Sequence, residues 1–205
     1  MGLAKLNRKP SYTFEEYLKI DRETEERYEY LDGEIYLMAG ESGAHGDISM
    51  NLAVISGTQM RGTNCRGRIK DTKVLSGAAS QKTSSPKGMF SYPDLVVICG
   101  QPQYHDKHED VIVNPQVIIE VLSESTESFD RGEKFIRYRM WNQTLTDYLL
   151  ISQAVPMIEH YTKQLDGSWI LREYHGLEST FTIETIAVKV NLADIYDRVE
   201  FETNE

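Results

Sequence analysis

The chain has 205 residues, 40% of them hydrophobic and 26% charged, with a net charge of −10. That length suits one domain with a sizeable core, and no apolar run approaches the roughly 20 residues that cross a bilayer. Residues 1–10 are polar and basic, without the apolar stretch of a secretory signal, so the expected compartment is the cytoplasm. The acidic balance argues against indiscriminate nucleic-acid binding, which feeds on positive surface.

Basic residues are unevenly placed. Arg61, Arg66, Arg68, Lys70 and Lys73 form one group, and Arg131, Lys134, Arg137 and Arg139 a second. Each is either a local basic surface or an ordinary solvated face. Cys65 and Cys99 form no CxxC motif and are expected as reduced, partly buried thiols.

Taken in chain order, residues 1–10 read as a flexible tail ahead of a single domain over 11–205. Thr13-Phe-Glu-Glu16 is a capping box opening a helix to about Arg22. Apolar arms flank Asp32-Gly33, a two-residue hairpin signal. Gly46 to Arg61 carries the apolar spacing of a helix. Gly67 to Leu75 reads as one strand region, and the Ser-, Gly- and Lys-rich stretch 76–88 as a mobile loop.

Ser91 to Cys99 reads as a strand, Gly100 to Asp110 as a polar loop, and Val111 to Ser123 as a strand interrupted at Asn114-Pro115. Asp130 to Asn142 has helical spacing. Thr146 to Ser152 is a strand. Met157 to Gln164 and Ser168 to Tyr174 flank a second hairpin turn at Asp166-Gly167. Phe181 to Val188 is a further edge strand, and Leu192 to Tyr196 a final helical turn. The order predicts a mixed α/β (α+β) fold: a central mixed β-sheet flanked by helices, with an additional C-terminal β-hairpin.

Two carboxylates interrupt this apolar pattern. Side chains alternate along a strand, so Asp94 shares a face with Tyr92, Val96 and Ile98, and Glu120 with Ile118 and Leu122. A nearly continuous apolar run such as Val117 to Leu122 is usually covered on both faces. An unpaired carboxylate there costs several kcal/mol, so it is paired, protonated or bound to metal. Two such acids on neighbouring strands suggest a shared Mg²⁺ or Mn²⁺. The alternative is that each pairs with a basic residue or caps a strand end.

Tyr92-Pro-Asp94, Ile119-Glu-Val-Leu-Ser123, and Asp130 with Lys134 and Tyr138 resemble the Uma-two family, within the restriction-endonuclease-like PD-(D/E)XK superfamily. Tyr28-Glu-Tyr-Leu-Asp-Gly-Glu34 and His45 also match its pattern, and the resemblance runs from about Tyr12 to Tyr174. It implies a restriction-endonuclease-like sheet with metal ligands from the Pro-Asp strand and the next strand. The superfamily's usual lysine, two positions after the glutamate, is replaced here by Leu122, and Lys134 is the implied substitute from the following helix. Its alternative roles are a surface lysine or a structural partner for Glu120. Glu29 is expected as an extra ligand or orienting acid, with Glu34 as its rival. His45 is expected either to touch a phosphate or to cap the helix.

The implied chemistry is Mg²⁺- or Mn²⁺-dependent hydrolysis of DNA phosphodiester bonds. Asp94, Glu120 and the Val121 carbonyl would be the metal ligands, with Lys134 positioning a water or stabilising the developing anion. DNA is the expected partner, with no membrane, and a homodimer is expected from the edge that the C-terminal hairpin offers. Rival readings are a non-catalytic binding module on a nuclease-like scaffold, and a metal-dependent hydrolase of a small phosphoester. His105 and His108, in a polar loop, are expected to be solvent-exposed. Tyr12, Tyr28, Tyr30, Tyr36 and Tyr161 are expected to build sheet faces.

Overall fold

The structure, a computed structural model, describes residues 4–5, 11–38, 40–78 and 87–201. Most of the expected tail lies outside these residues, but Ala4–Lys5 form a strand, β1, against residues 36–37. Helix α1 (Phe14–Glu23) starts at the predicted box: the Thr13 side chain accepts from the Glu16 amide, and Glu16 answers on the Thr13 amide. Strands β2 (Tyr28–Leu31) and β3 (Glu34–Leu37) meet at Asp32-Gly33, with φ of 46° and 97°. Positive φ at both central residues matches the twist of the flanking strands. Arg137 grips the Asp32 carboxylate with two nitrogens, at 3.0 and 2.7 Å, anchoring the turn.

Helix α2 (Gly43–Gln59) begins three residues before the predicted start, because Ser42, not His45, is the N-cap. The single strand expected over 67–75 is two strands, β4 (Cys65–Ile69) and β5 (Lys73–Gly77). Lys70, at φ 55°, turns the chain between them, and they join different sheets. Of the loop expected over 76–88, residues 79–86 lie outside the described residues. Its ends are strand: Ser76 and Gly77 close β5, and Gly88 opens β6 (Gly88–Ser91).

Next come β7 (Leu95–Cys99), β8 (Val111–Ile112) and β9 (Val117–Val121). The predicted helix over 130–142 is composite: α3 (Glu127–Phe129), a π-helical turn over Asp130–Lys134, and α4 (Phe135–Trp141). Strand β10 (Asp147–Ile151) precedes the predicted hairpin, β11 (Met157–Lys163) and β12 (Trp169–His175). The edge strand expected over 181–188 is instead a hairpin of its own, β13 (Thr180–Ile183) and β14 (Val188–Asn191), bridged by a 3₁₀ turn with Ala187 in the left-handed region. Helix α5 (Leu192–Ile195) follows.

The fold is mixed α+β, as expected, but the strands of the described residues form two six-stranded sheets and the separate β13–β14 pair rather than one sheet. The first runs β1-β3-β2-β6-β5-β8; the second runs β12-β11-β10-β9-β7-β4 and is mixed, with β9 and β10 parallel. Val74 and Met89 of the first sheet pack with Val96, Ile98 and Ile118 of the second and with Phe135 and Tyr138 of α4. Each such side chain contributes about 1.5–3 kcal/mol by leaving water. That shared core offsets the cost of the charged groups buried where the sheets meet. On its other face, the second sheet packs against α2, β13, β14 and α5.

Cys65 and Cys99 are not free thiols. They face each other in the β4–β7 register and form a disulfide. His105 is also not fully exposed: its ring packs edge-on against Phe90. Among the described residues, no helix is long and apolar enough to cross a membrane.

Candidate active site

Proline offers no amide hydrogen, so the ladder breaks at Tyr92-Pro93 and the chain re-enters a strand at Leu95. Asp94 stands at that entrance. Leu95 pairs with Ile119 across β7 and β9, and continuing the register by one residue sets Asp94 opposite Glu120. The two acids therefore share a face, as alternation along each strand requires. Asp94 Oδ2 accepts from the Val121 amide at 2.7 Å, and Oδ1 lies 2.6 Å from His45 Nε2.

His45 sits in the first turn of α2, so its side chain reaches Asp94 instead of capping the helix. Ser42 takes the capping role and also donates to Gln153, whose amide nitrogen reaches both the Leu122 carbonyl and His45 Nδ1. Burial lowers the His45 pKa, but the hydrogen bond and charge of Asp94 outweigh it and leave the pKa raised.

Glu120 is almost completely buried and is met from below by the π-helical turn. Such turns are rare and recur at functional sites. Here the turn brings Asp130 and Lys134 inward together. Lys134 Nζ lies 3.0 Å from Glu120 Oε1, 3.2 Å from Asp130 Oδ1 and 3.6 Å from Glu29 Oε1. Tyr138, one helical turn on, donates to Glu120 Oε1 at 3.0 Å and contacts Ser91 Oγ at 2.8 Å.

Burial alone would lower the Lys134 pKa, but Glu120, Glu29 and Asp130 reverse that and hold the ammonium charged, above the usual lysine range. Burial pushes the Glu120 carboxyl well above the usual range. Lys134 opposes that shift, and Asp130, Asp94 and Glu29 reinforce it. The acids around Lys134 therefore act on both groups, reversing the effect of burial on the ammonium and adding to it on the Glu120 carboxyl.

The two candidate upstream acids separate clearly. Glu29, on β2, is buried, accepts the Tyr92 amide at 3.0 Å and faces Lys134. Glu34 lies across the hairpin, takes the Tyr36 hydroxyl and does not line the cleft. Asp130, to which the sequence alone assigned no role, joins the site, and its spacing of four residues from Lys134 is the signal that could have found it. A buried network behind Tyr92 carries no local sequence signal. Lys73 lies 2.9 Å from Asp21 and 3.0 Å from Asp110, and the Tyr92 hydroxyl donates to Asp21 at 2.6 Å. Lys73 and Lys134, counted earlier in basic clusters, are thus interior ion-pair partners, whereas Arg61, Arg66 and Arg68 are exposed.

These groups floor a cleft of about 1150 Å³, with Arg27 and Lys70 among its lining residues. Among the described residues, no three His, Cys, Asp or Glu side chains are gathered as a ready ion cage. The donors that fit a hard cation are the Asp94 and Glu120 carboxylates and the Val121 carbonyl, all oxygen.

Residues 14–193 match the Uma2 family, described as "Putative restriction endonuclease". An uncharacterized protein of Synechocystis sp. is 33% identical over 192 residues, covering 94% of this chain and 95% of its own length. A second from the same organism is 32% identical over 164 residues, covering 80% and 88%. The fold is similar to that of a crystal structure from Anabaena variabilis, described as a "putative nuclease belonging to DUF820". Its TM-score is 0.71 at 14% identity, covering 92% of this chain and 99% of that one.

Proposed function

The chain belongs to the Uma2 family of restriction-endonuclease-type proteins, and on that footing we propose that it is a Mg²⁺- or Mn²⁺-dependent endonuclease that hydrolyses DNA phosphodiester bonds. The observation that carries this reading is the placement of Asp94 opposite Glu120, beside the buried ammonium of Lys134, on the floor of an open cleft. A divalent ion held by Asp94, Glu120 and the Val121 carbonyl would neutralise charge at phosphorus and make a water acidic.

The chain's own groups divide the remaining work. Lys134, kept charged by three acids, orients the attacking water or meets the negative charge that develops on phosphoryl oxygen. Glu29 holds Lys134 and the Tyr92 amide, fixing the approach of Asp94. Tyr138 holds Glu120 in one orientation through its hydroxyl. Arg27 and Lys70, at the cleft wall, meet flanking phosphates, which position a nucleic acid without reading its sequence.

The test is cleavage of plasmid and single-stranded DNA by purified protein in Mg²⁺ or Mn²⁺, beside Asp94→Ala and Glu120→Ala. Activity confined to the unsubstituted protein is expected. Equal residual activity in all three overturns the reading. Turnover of a chromogenic phosphodiester without DNA cleavage would instead support a small-phosphoester hydrolase. A folded protein that binds DNA but cuts nothing would be a nuclease-like binding module.

A further inference from the structure

A second, smaller cavity of about 260 Å³ opens beside the cleft. Glu29, Ser125, Thr126 and Phe129 line both spaces, so the two are contiguous. The side cavity is below the roughly 300–1,000 Å³ of a typical drug-sized site and suits a single ring system. Its walls come from the immediate neighbours of the site's acids. Tyr36 lies directly opposite Glu29 across β2 and β3, and the two side chains share a face. Phe129 directly precedes Asp130 at the end of α3. Leu31 and Met89 contribute apolar surface, and Glu133 adds a second carboxylate beside Glu29.

We propose that this side cavity receives one unpaired nucleobase of the DNA substrate, stacked against Tyr36 and Phe129, while its phosphate lies in the adjoining cleft. The inference rests on the nuclease reading above and adds the substrate class: strands that offer an unstacked base, such as single strands or bulges. Three features select a base over other occupants. Tyr36 and Phe129 are only partly buried, so ring surface is available for stacking. Every base has a π-face, and stacking on aromatic side chains is tolerant of sequence. Glu29 and Glu133 are ion-paired through Oε1, to Lys134 and Arg137, and their Oε2 atoms can accept from the exocyclic amines of adenine, cytosine and guanine. Tyr36 thereby takes a role beyond the sheet-building one expected from sequence.

The test uses a short single strand carrying 2-aminopurine, a base whose fluorescence falls on stacking, with a phosphorothioate backbone to resist hydrolysis. Binding is followed in Mg²⁺ by anisotropy and by quenching of the base. The unsubstituted protein should quench the base. Tyr36→Leu and Phe129→Leu, which keep apolar volume but remove the ring, should lose the quench and bind the strand about 10-fold more weakly. Leu165→Ala, on the exposed β11–β12 turn, serves as the control. Melting curves confirm that each variant is folded, and Tyr36→Phe, which keeps the ring, should restore the quench.

Binding without a quench, a quench retained in both ring variants, or no binding of the strand overturns the proposal. The cleavage assay on plasmid and single-stranded DNA decides the nuclease reading separately. DNA cleavage without quenching sinks only the base pocket, and quenching without DNA cleavage sinks only the nuclease.

Discussion

The Val121 amide donates to Asp94 Oδ2 at 2.7 Å, so the last residue of β9 holds the residue that leads into β7. A backbone donor thus fixes one carboxylate oxygen, while His45 takes the other. An asparagine at this position keeps an acceptor for the Val121 amide but loses the charge a cation needs. Asp94→Asn should lower Mn²⁺ affinity at least 10-fold by calorimetry, about 1.4 kcal/mol. Its urea stability should change by no more than about 1 kcal/mol. Unchanged Mn²⁺ binding would remove Asp94 from the proposed ligand set.

Lys134→Met leaves Glu120, Glu29 and Asp130 buried without their cation. Breaking a buried ion pair from one side costs about 3–5 kcal/mol, and a loss of that size is expected at pH 7.5 by urea denaturation. Glu120 already titrates above its ordinary value through burial, and the substitution removes the main opposing charge. A carboxyl whose folded pKa lies above the unfolded one adds stability at low pH and loses it as pH rises. The variant should therefore recover part of its deficit at pH 5. A deficit equal at both values would contradict this account of Glu120.

Asp110 behaves in the opposite sense. Burial raises its pKa, but hydrogen bonds from Arg22 and Lys73 outweigh this and lower it from 3.8 to about 2. A depressed folded pKa contributes stability above the ordinary value, and that stability disappears as pH falls toward about 2. In Arg22→Ala, which removes a guanidinium bonded to both Asp110 and Asp106, acid unfolding should begin at higher pH. Circular dichroism between pH 5 and 2 measures the shift, and superimposable curves would argue against it.

The Cys65–Cys99 bond closes a loop with a sequence separation of 34. Chain-entropy reasoning assigns a loop of this size roughly 3–4 kcal/mol. Dithiothreitol should lower the urea stability of the unsubstituted protein by about that amount. The double variant Cys65→Ser, Cys99→Ser should be insensitive to reductant. Insensitivity of the unsubstituted protein would mean that the two thiols do not hold the β4–β7 edge.

By itself the sequence determined the features whose physics acts over a few residues. The Thr13–Glu16 box opens α1, Asp32-Gly33 turns the first hairpin, and the apolar runs around Asp94 and Glu120 become β7 and β9. Alternation also gave each acid a face of its own strand, because that period does not depend on what lies across from it; the β7–β9 register made the two faces one. Tertiary structure decided the partners. Glu29 and Glu34 sit in equally good strand contexts, and only the packing of β2 against the π-helical turn brings Glu29 to Lys134. His45 reaches Asp94 because α2 starts at Ser42, and Lys73 meets Asp21 because β5 leaves the sheet that β4 joins. Each of these contacts joins residues far apart in the chain. Local periodicity tells a side chain which way to face, and only long-range register and packing determine what it meets.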